Sequence, residues 1–481
     1  ERERVGSERP LGVFFTWAER NERRRRRQRL TSDSAKRTKR IRIESPLSGC
    51  PAHPQSTSVV TPCFARMGSL GHVAAAPSSD ELDAAIPDSV RTSFDESIEQ
   101  GDIHLYRATG DPCAVSDDPP RFPQWVHTVP QLGEKPAVPP NTPDLTRKRD
   151  KDVLQGLTYG KGEKILQLDE PTGGKSYSLV HNLHALFPEH MMAIPYFGDE
   201  PFRPQTSDLI PEDLHVAWRV VRAYADAGRE TVMFFNGGPL AGASQPHLHM
   251  QFCPFQYDAP PAPEALARSL PESSSRPTSI EESAPRLPLP WTQFCVALPA
   301  DRATVTADDL VGAYRQLLRT SRAYTAEIAA DSRADSGSET GSGPGSRPDS
   351  KLEADSEATQ ARRANRRRLP PPGPKRDSYN LFLTASHMHL VPRTDRLVAL
   401  ERPSEPIAAP DDDDNEDSTG AGEARAGDDM LRMSLNGLVY LGYWHVASDE
   451  DRELVRKVGF GEVLTRAAYV NEEYCRPSHD A

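Results

Sequence analysis

Apolar and polar positions alternate along several short stretches of this chain, and one longer stretch carries a helical repeat. Residues 177–182 (YSLVHN) and 190–196 (HMMAIPY) read as two strands joined by a turn containing Pro188 and Glu189. Pro211 opens a helix in which Leu214, Ala217, Trp218, Val221 and Ala225 recur at helical spacing, and Gly228 ends it. Residues 231–236 (TVMFFN) predict a third strand, a glycine-rich loop follows, and 247–252 (HLHMQF) predict a fourth. The order partly recurs later: a helix within 307–330, then the strand pair 379–384 (YNLFLT) and 387–393 (HMHLVPR). A last helix begins near Ser448, whose Ser-x-x-Asp pattern with Asp451 resembles a capping box. Strands around an amphipathic helix, met twice, predict an α+β fold of two related halves with antiparallel sheets and flanking helices.

Long stretches fit neither period. Only 36% of residues are hydrophobic and 45 are proline, the balance of a folded core diluted by unstructured sequence. The expected organisation is a disordered basic region over 1–80, a catalytic half over 81–256 and a Pro-rich linker over 257–290. A second half over 291–474 follows, interrupted by disordered insertions at about 331–376 and 403–429. Met67 is the first methionine, and three readings of residues 1–66 compete: sequence upstream of the true start, a basic nuclear-type address or a disordered nucleic-acid tail. The net charge of −12 argues against a nucleic-acid partner, with the basic run at 23–27 as the one dissenting feature. No apolar run reaches the roughly 18–20 residues of a membrane helix, so no membrane partner is expected. Six cysteines without a C-x-x-C pair, and no secretory leader, predict reduced thiols in the cytoplasm, with the nucleus as the alternative the basic run offers.

The chemistry concentrates in residues 236–251, NGGPLAGASQPHLHMQ. On a strand His247, His249 and Gln251 share one face while Leu248, Met250 and Phe252 point to the core. Three polar heads on a buried-strand pattern are costly unless they serve a site. The loop before them holds three glycines, which lets backbone N–H groups approach an anion. A zinc pair would need a further ligand from elsewhere, and no Cys or Glu cluster lies nearby in the sequence, so no metal site is assigned. The second H-x-H, His387-Met388-His389, lacks both the glycine loop and the glutamine. It is read as structural and, by position, as the counterpart of 190–196.

With its flanks, this motif resembles the histidine-triad-like superfamily in its transferase branch, where glutamine replaces the third histidine. Four further stretches make the longer resemblance one to the fungal diadenosine tetraphosphate phosphorylases (ATP adenylyltransferases). They are FPQWVHTVPQLGEKP (122–136), NLHALFPEH (182–190), SYNLFLT…LVPRT and the C-terminal LNGLVYLGYWHVASDEDRELVRKVG. The resemblance implies a histidine-triad-like fold and reversible adenylyl transfer, with diadenosine tetraphosphate and phosphate giving ATP and ADP through a nucleotidyl-histidine. It implies His249 as nucleophile, His247 as an orienting residue and Gln251 as a contact to a phosphate oxygen. Lys135, Asn182, Asn236, Gly237, Gly238, Ser244 and Gln245 would bind substrate. No cofactor is required for the covalent step, and Mg²⁺ accompanying the polyphosphate is the one candidate ion. Three departures bear on dinucleotide recognition: Glu134 stands where the family carries a second lysine, Ala241 where it carries a serine, and an Asn-Pro-Phe segment is absent. A hydrolase with the same nucleophile, a hexose-1-phosphate uridylyltransferase-like enzyme and a non-catalytic nucleotide-binding protein are the alternatives.

Overall fold

The computed structural model describes residues 79–114, 124–133, 145, 154, 164–169, 175–196, 202–271, 282–338, 357–370, 377–402, 430–472 and 474. Residues 1–74 lie outside the described residues, and Ala75–Ala481 forms a compact unit that holds both halves. Among the described residues no helix is long and apolar enough to cross a membrane.

Eight strands build one sheet: β1 (Lys164–Asp169), β2 (Ser176–His181), β3 (Met191–Tyr196), β4 (Thr231–Gly237), β5 (Met250–Pro254), β6 (Phe294–Ala297), β7 (Tyr379–Leu383) and β8 (His387–Pro392). Their spatial order is β6-β8-β7-β4-β5-β3-β2-β1, every pair antiparallel. The two expected sheets are therefore continuous, joined where β4 pairs β7 with Asn236 opposite Asn380. Each half runs strand, helix, hairpin: β3, α1 (Pro211–Asp226), β4 and β5, then β6, α3 (Ala307–Ser338), β7 and β8. Between β5 and β6 lies α2 (Ala262–Ser269), and α4 (Glu357–Arg368) follows α3.

The alternation seen in the sequence sorts side chains onto two faces. Met233, Phe235, Met250, Phe252, Leu381, Leu383, Met388 and Leu390 pack with α1 and α3 in one core. Val232, Phe234, Cys253, Phe382 and Val391 face a second core, to which Tyr443, Trp444 and Leu438 contribute. Helix α1 starts where expected because Pro211 occupies its first turn and Asp213 accepts the Ile210 N–H at 2.8 Å. Asp213 also receives two bonds from Arg203 (2.8 and 2.9 Å), which pins the segment ahead of the helix.

Several expectations are corrected. The fourth strand starts at Met250, not His247, because Gln205 and its neighbours take the pairing of 246–249. The strand 387–393 is the counterpart of β5 rather than of 190–196: outward from the seam both follow the seam strand directly. From the middle of the β4–β7 pairing, Phe235 against Leu381, Phe234 corresponds to Asn380. Their hairpin partners Gln251 and Val391 then correspond, and His247 and His249 fall at the register of His387 and His389.

The segment 331–376 is not wholly disordered, since α3 continues to Ser338 and α4 docks on the C-terminal chain. That docking is polar, which is why a count of apolar residues misses it. Asn365 donates to Val470 O (3.0 Å) and accepts from Val470 N (2.7 Å), and Arg362 pairs with Glu472 at 2.7 Å. The Pro-rich span 257–290 likewise contains α2, whose Glu264 is buried. The insertion 403–429 lies outside the described residues.

Candidate active site

The site forms where β4, β5 and β3 lie side by side on the face away from α1. Ahead of β5 the chain 246–249 runs along 203–205: Gln205 N donates to Pro246 O and Leu248 N to Arg203 O, both at 2.7 Å. The fully buried Gln205 side chain completes this edge, accepting from His249 N (2.8 Å) and donating to Asn236 O (3.0 Å) and His249 O (3.3 Å). A lone glutamine in a loop gives no periodic signal, and sequence reasoning missed it.

His249 is buried, and its Nδ1 lies 2.8 Å from the backbone oxygen of His247. A carbonyl can only accept, so Nδ1 carries the proton and Nε2 keeps its lone pair. Burial lowers the pKa of the ring to about 4, against a modest opposing effect of that backbone bond, so it is neutral at physiological pH. His247 thus orients the His249 ring through its main chain. Its own ring is buried and lies edge-on to Phe202 at 5.5 Å.

Gln251 sits one step further on the same face. Its Oε1 is 3.1 Å from His190 Nε2 and 3.4 Å from Asn182 Nδ2. His190 Nδ1 accepts the Leu186 N–H at 3.4 Å, which places the His190 proton on Nε2, where it donates to Gln251. Burial lowers the pKa of His190 to about 4 as well, so this bond keeps one polarity across the physiological range. With its oxygen held from behind, the carboxamide of Gln251 offers its NH₂ donors. Asn182 is tied to the same group and caps the next turn by accepting the His184 N–H at 3.0 Å.

The remaining predicted residues divide. Asn236 is buried on the seam, with its Oδ1 accepting from Asn380 Nδ2 (2.8 Å) and Gly437 N (2.9 Å). That oxygen is committed to joining the halves rather than to a nucleotide. Gly237 ends β4 against the Phe235 and Tyr379 rings. Gly238 and Gly242 have φ of +89° and +84°, and a Cβ there would come within 2.6 Å of Ser378 Oγ and 2.5 Å of Leu435 O. These glycines serve close approach of the second half, whereas the sequence suggested approach of an anion. Ser244 is exposed and Gln245 half-buried at the loop end next to His247. Lys135 lies outside the described residues. The chain leading to it is described as far as Gly133.

Two segments far apart in sequence close the same face. Residues Trp125–Thr128 pair in parallel with Tyr443–Val446, and Trp444 Nε1 donates to Gln124 Oε1 at 2.7 Å. Phe187, near Asn182, packs edge-on against His127 and His445 of this pair.

A neutral buried imidazole with one free nitrogen, beside an amide donor of fixed orientation, suits nucleophilic attack on phosphorus. Comparison with known proteins agrees. Residues 174–267 match the Ap4A phosphorylase N-terminal domain and 287–470 match the ATP adenylyltransferase C-terminal domain, together more than half of the chain. The chain is 23% identical over 249 residues to Protein APA1 of Saccharomyces cerevisiae, covering 51% of this chain and 70% of that one. It is 24% identical over 210 residues to diadenosine 5',5'''-P1,P4-tetraphosphate phosphorylase 2 of the same yeast, covering 42% and 59%. The crystal structure of yeast Ap4A phosphorylase Apa2 superposes with a TM-score of 0.51 at 17% identity, over 80% of this chain and 97% of that one. The Apa2 structure in complex with Ap4A superposes equally well, which establishes the histidine-triad-like fold. This chain belongs to the ATP adenylyltransferase/Ap4A phosphorylase family.

Proposed function

We propose that this protein catalyses the phosphorolysis of diadenosine tetraphosphate to ATP and ADP through an adenylyl-histidine on His249. The observation that carries the reading is the state of that ring: proton fixed on Nδ1, Nε2 unprotonated, and water largely excluded. Nε2 attacks the α-phosphorus of one adenylyl group, a P–N bond forms, and the P–O bond to the remaining triphosphate breaks, so that ATP departs. Inorganic phosphate then attacks the same phosphorus, the P–N bond breaks, and ADP leaves with Nε2 restored.

Gln251 cannot transfer a proton. Its NH₂ positions a non-bridging oxygen, which suits an acceptor that is already anionic. Ser244 and the loop N–H groups beside it are the groups assigned to charge on the phosphoryl oxygens. Asn182, Gln245 and Lys135 are assigned to the nucleotide and polyphosphate. Mg²⁺ enters, in this reading, only as a counter-ion of the polyphosphate.

The test is trapping. Enzyme incubated with adenine-labelled dinucleotide and no phosphate should hold an acid-labile, base-stable label on the peptide containing His249. Added phosphate should release that label as ADP, and the α-phosphorus should keep its configuration overall. Release of AMP without phosphate would indicate a hydrolase. Inversion with no trapped adenylate would mean direct attack by phosphate.

A further inference from the structure

The second H-x-H occupies the register of the catalytic pair, yet it faces a different partner. His387 and His389 project from β8 onto the face shared with His249, and Glu264 of α2 reaches between them. Its Oε1 lies 3.2 Å from His387 Nδ1 and its Oε2 3.0 Å from His389 Nε2. All three side chains are buried, and their nitrogen and oxygen ligand atoms lie within 4.8 Å of one another.

The charge count around them is uneven. Arg268 forms two bonds to Glu230 (2.9 and 3.0 Å) and a third to Glu264 at 2.6 Å. One guanidinium thus stands against two carboxylates, leaving one negative charge beside the imidazoles.

We propose that Glu264, His387 and His389 bind a divalent transition-metal ion, zinc-like in its demands, that fastens α2 to β8. The donor set is two imidazoles and one carboxylate, which suits zinc or a neighbouring first-row ion and not calcium or magnesium, whose shells are built from oxygen. Metal–ligand bonds of about 2.0–2.1 Å in a tetrahedral shell put ligand atoms roughly 3.3 Å apart, and each imidazole nitrogen lies at close to that spacing from one of the two Glu264 oxygens. The ion would close a chain segment that leaves the catalytic strand β5, turns through residues 256–258 and returns to the sheet as α2. Its function is structural, on the half of the sheet that has Val391 where the catalytic half has Gln251.

Metal analysis of the full-length protein, expressed with zinc and dialysed, is the test. The wild type and His249→Asn should each retain about one equivalent, and His389→Gln and Glu264→Gln should each lose it. Zinc added to chelator-treated wild type should raise the thermal midpoint by about 5 °C or more, by mass action on the folded state. Cobalt added instead should give the visible absorption of a tetrahedral site. This last reading needs no variant and stands even if His389→Gln fails to fold. A wild type that retains no metal, is not stabilised by zinc and gives no cobalt spectrum would reduce the cluster to a hydrogen-bonded triad and overturn the proposal. So would loss of the metal in His249→Asn, which would place the ion on the catalytic pair.

Discussion

Imidazole is a nucleophile only while neutral, and burial keeps the His249 ring neutral well below the pH where an exposed histidine protonates, as the proposed role requires. The single-turnover rate of enzyme adenylation, measured without phosphate, should therefore be nearly flat from pH 8 to about 5.5. A decline centred near 6.5 would show a solvated ring. Stability carries the same imprint. His127, His181, His190 and His249 all have pKa values lowered to about 4 by burial, so the unfolded chain takes up protons first as pH falls. Their contribution is complete above about 6.5 and is lost as pH drops through 4, by roughly 3 kcal/mol per ring at the lower end. Urea titrations at pH 7 and 4.5 should show that slope. His190→Leu should slow adenylation about 10–100-fold while changing nucleotide affinity less than tenfold, because Gln251 would lose its orientation and not its donors. The H-x-H-x-Q spacing made legible that His247, His249 and Gln251 share a face; the role of His249 came from the family resemblance. Gln205 and the tautomer relay through His190 were not legible, because their partners are backbone groups and residues 31 to 61 positions away in sequence.

At the level of elements, periodicity located β2, β3, β4, β7 and α1 to within a residue or two, since each buries one regular apolar face. It failed at α2, a helix of eight residues that buries Leu266 and Ala267 beside Glu264, and at α4, which docks through Arg362 and Asn365. A helix held by polar contacts to distant chain leaves no apolar repeat to read. Asn365→Ala should accordingly cost roughly 1–3 kcal/mol, by leaving the Val470 N–H unpaired, and protease should cut earlier near α4. The glycine loop was legible as a loop, but the purpose of its glycines became visible only with the second half in place. Gly242→Ala combines a positive φ with a backbone oxygen 2.5 Å from the new carbon. It should lower stability by about 2 kcal/mol or more and displace the segment ahead of β5 that carries His249. Unchanged melting and activity would show that the loop can move away from Leu435.

Across the whole molecule the decisive contact is the seam between β4 and β7. Arg393, fully buried, donates to Asn380 Oδ1 (2.5 Å), Ala467 O (2.9 Å), Asp395 O (2.7 Å) and Leu435 O (3.0 Å), and it lies over the Tyr440 ring at 4.7 Å. Asn380 in turn holds Asn236 and the Ala241 carbonyl. Replacing Arg393 by Met should cost roughly 3 kcal/mol or more through these stranded acceptors. Calorimetry should show the two halves melting in one transition, and two resolved transitions would mean that the seam is not cooperative. The doubled layout has a consequence for how such a site can change. In a dimer of identical halves, any substitution appears at both copies, so a change that helps one site is imposed on the other. A single chain that carries both copies lifts this restriction. Gln can stand at 251 while Val stands at 391, and one histidine pair is released to take a carboxylate partner while the other keeps the reaction.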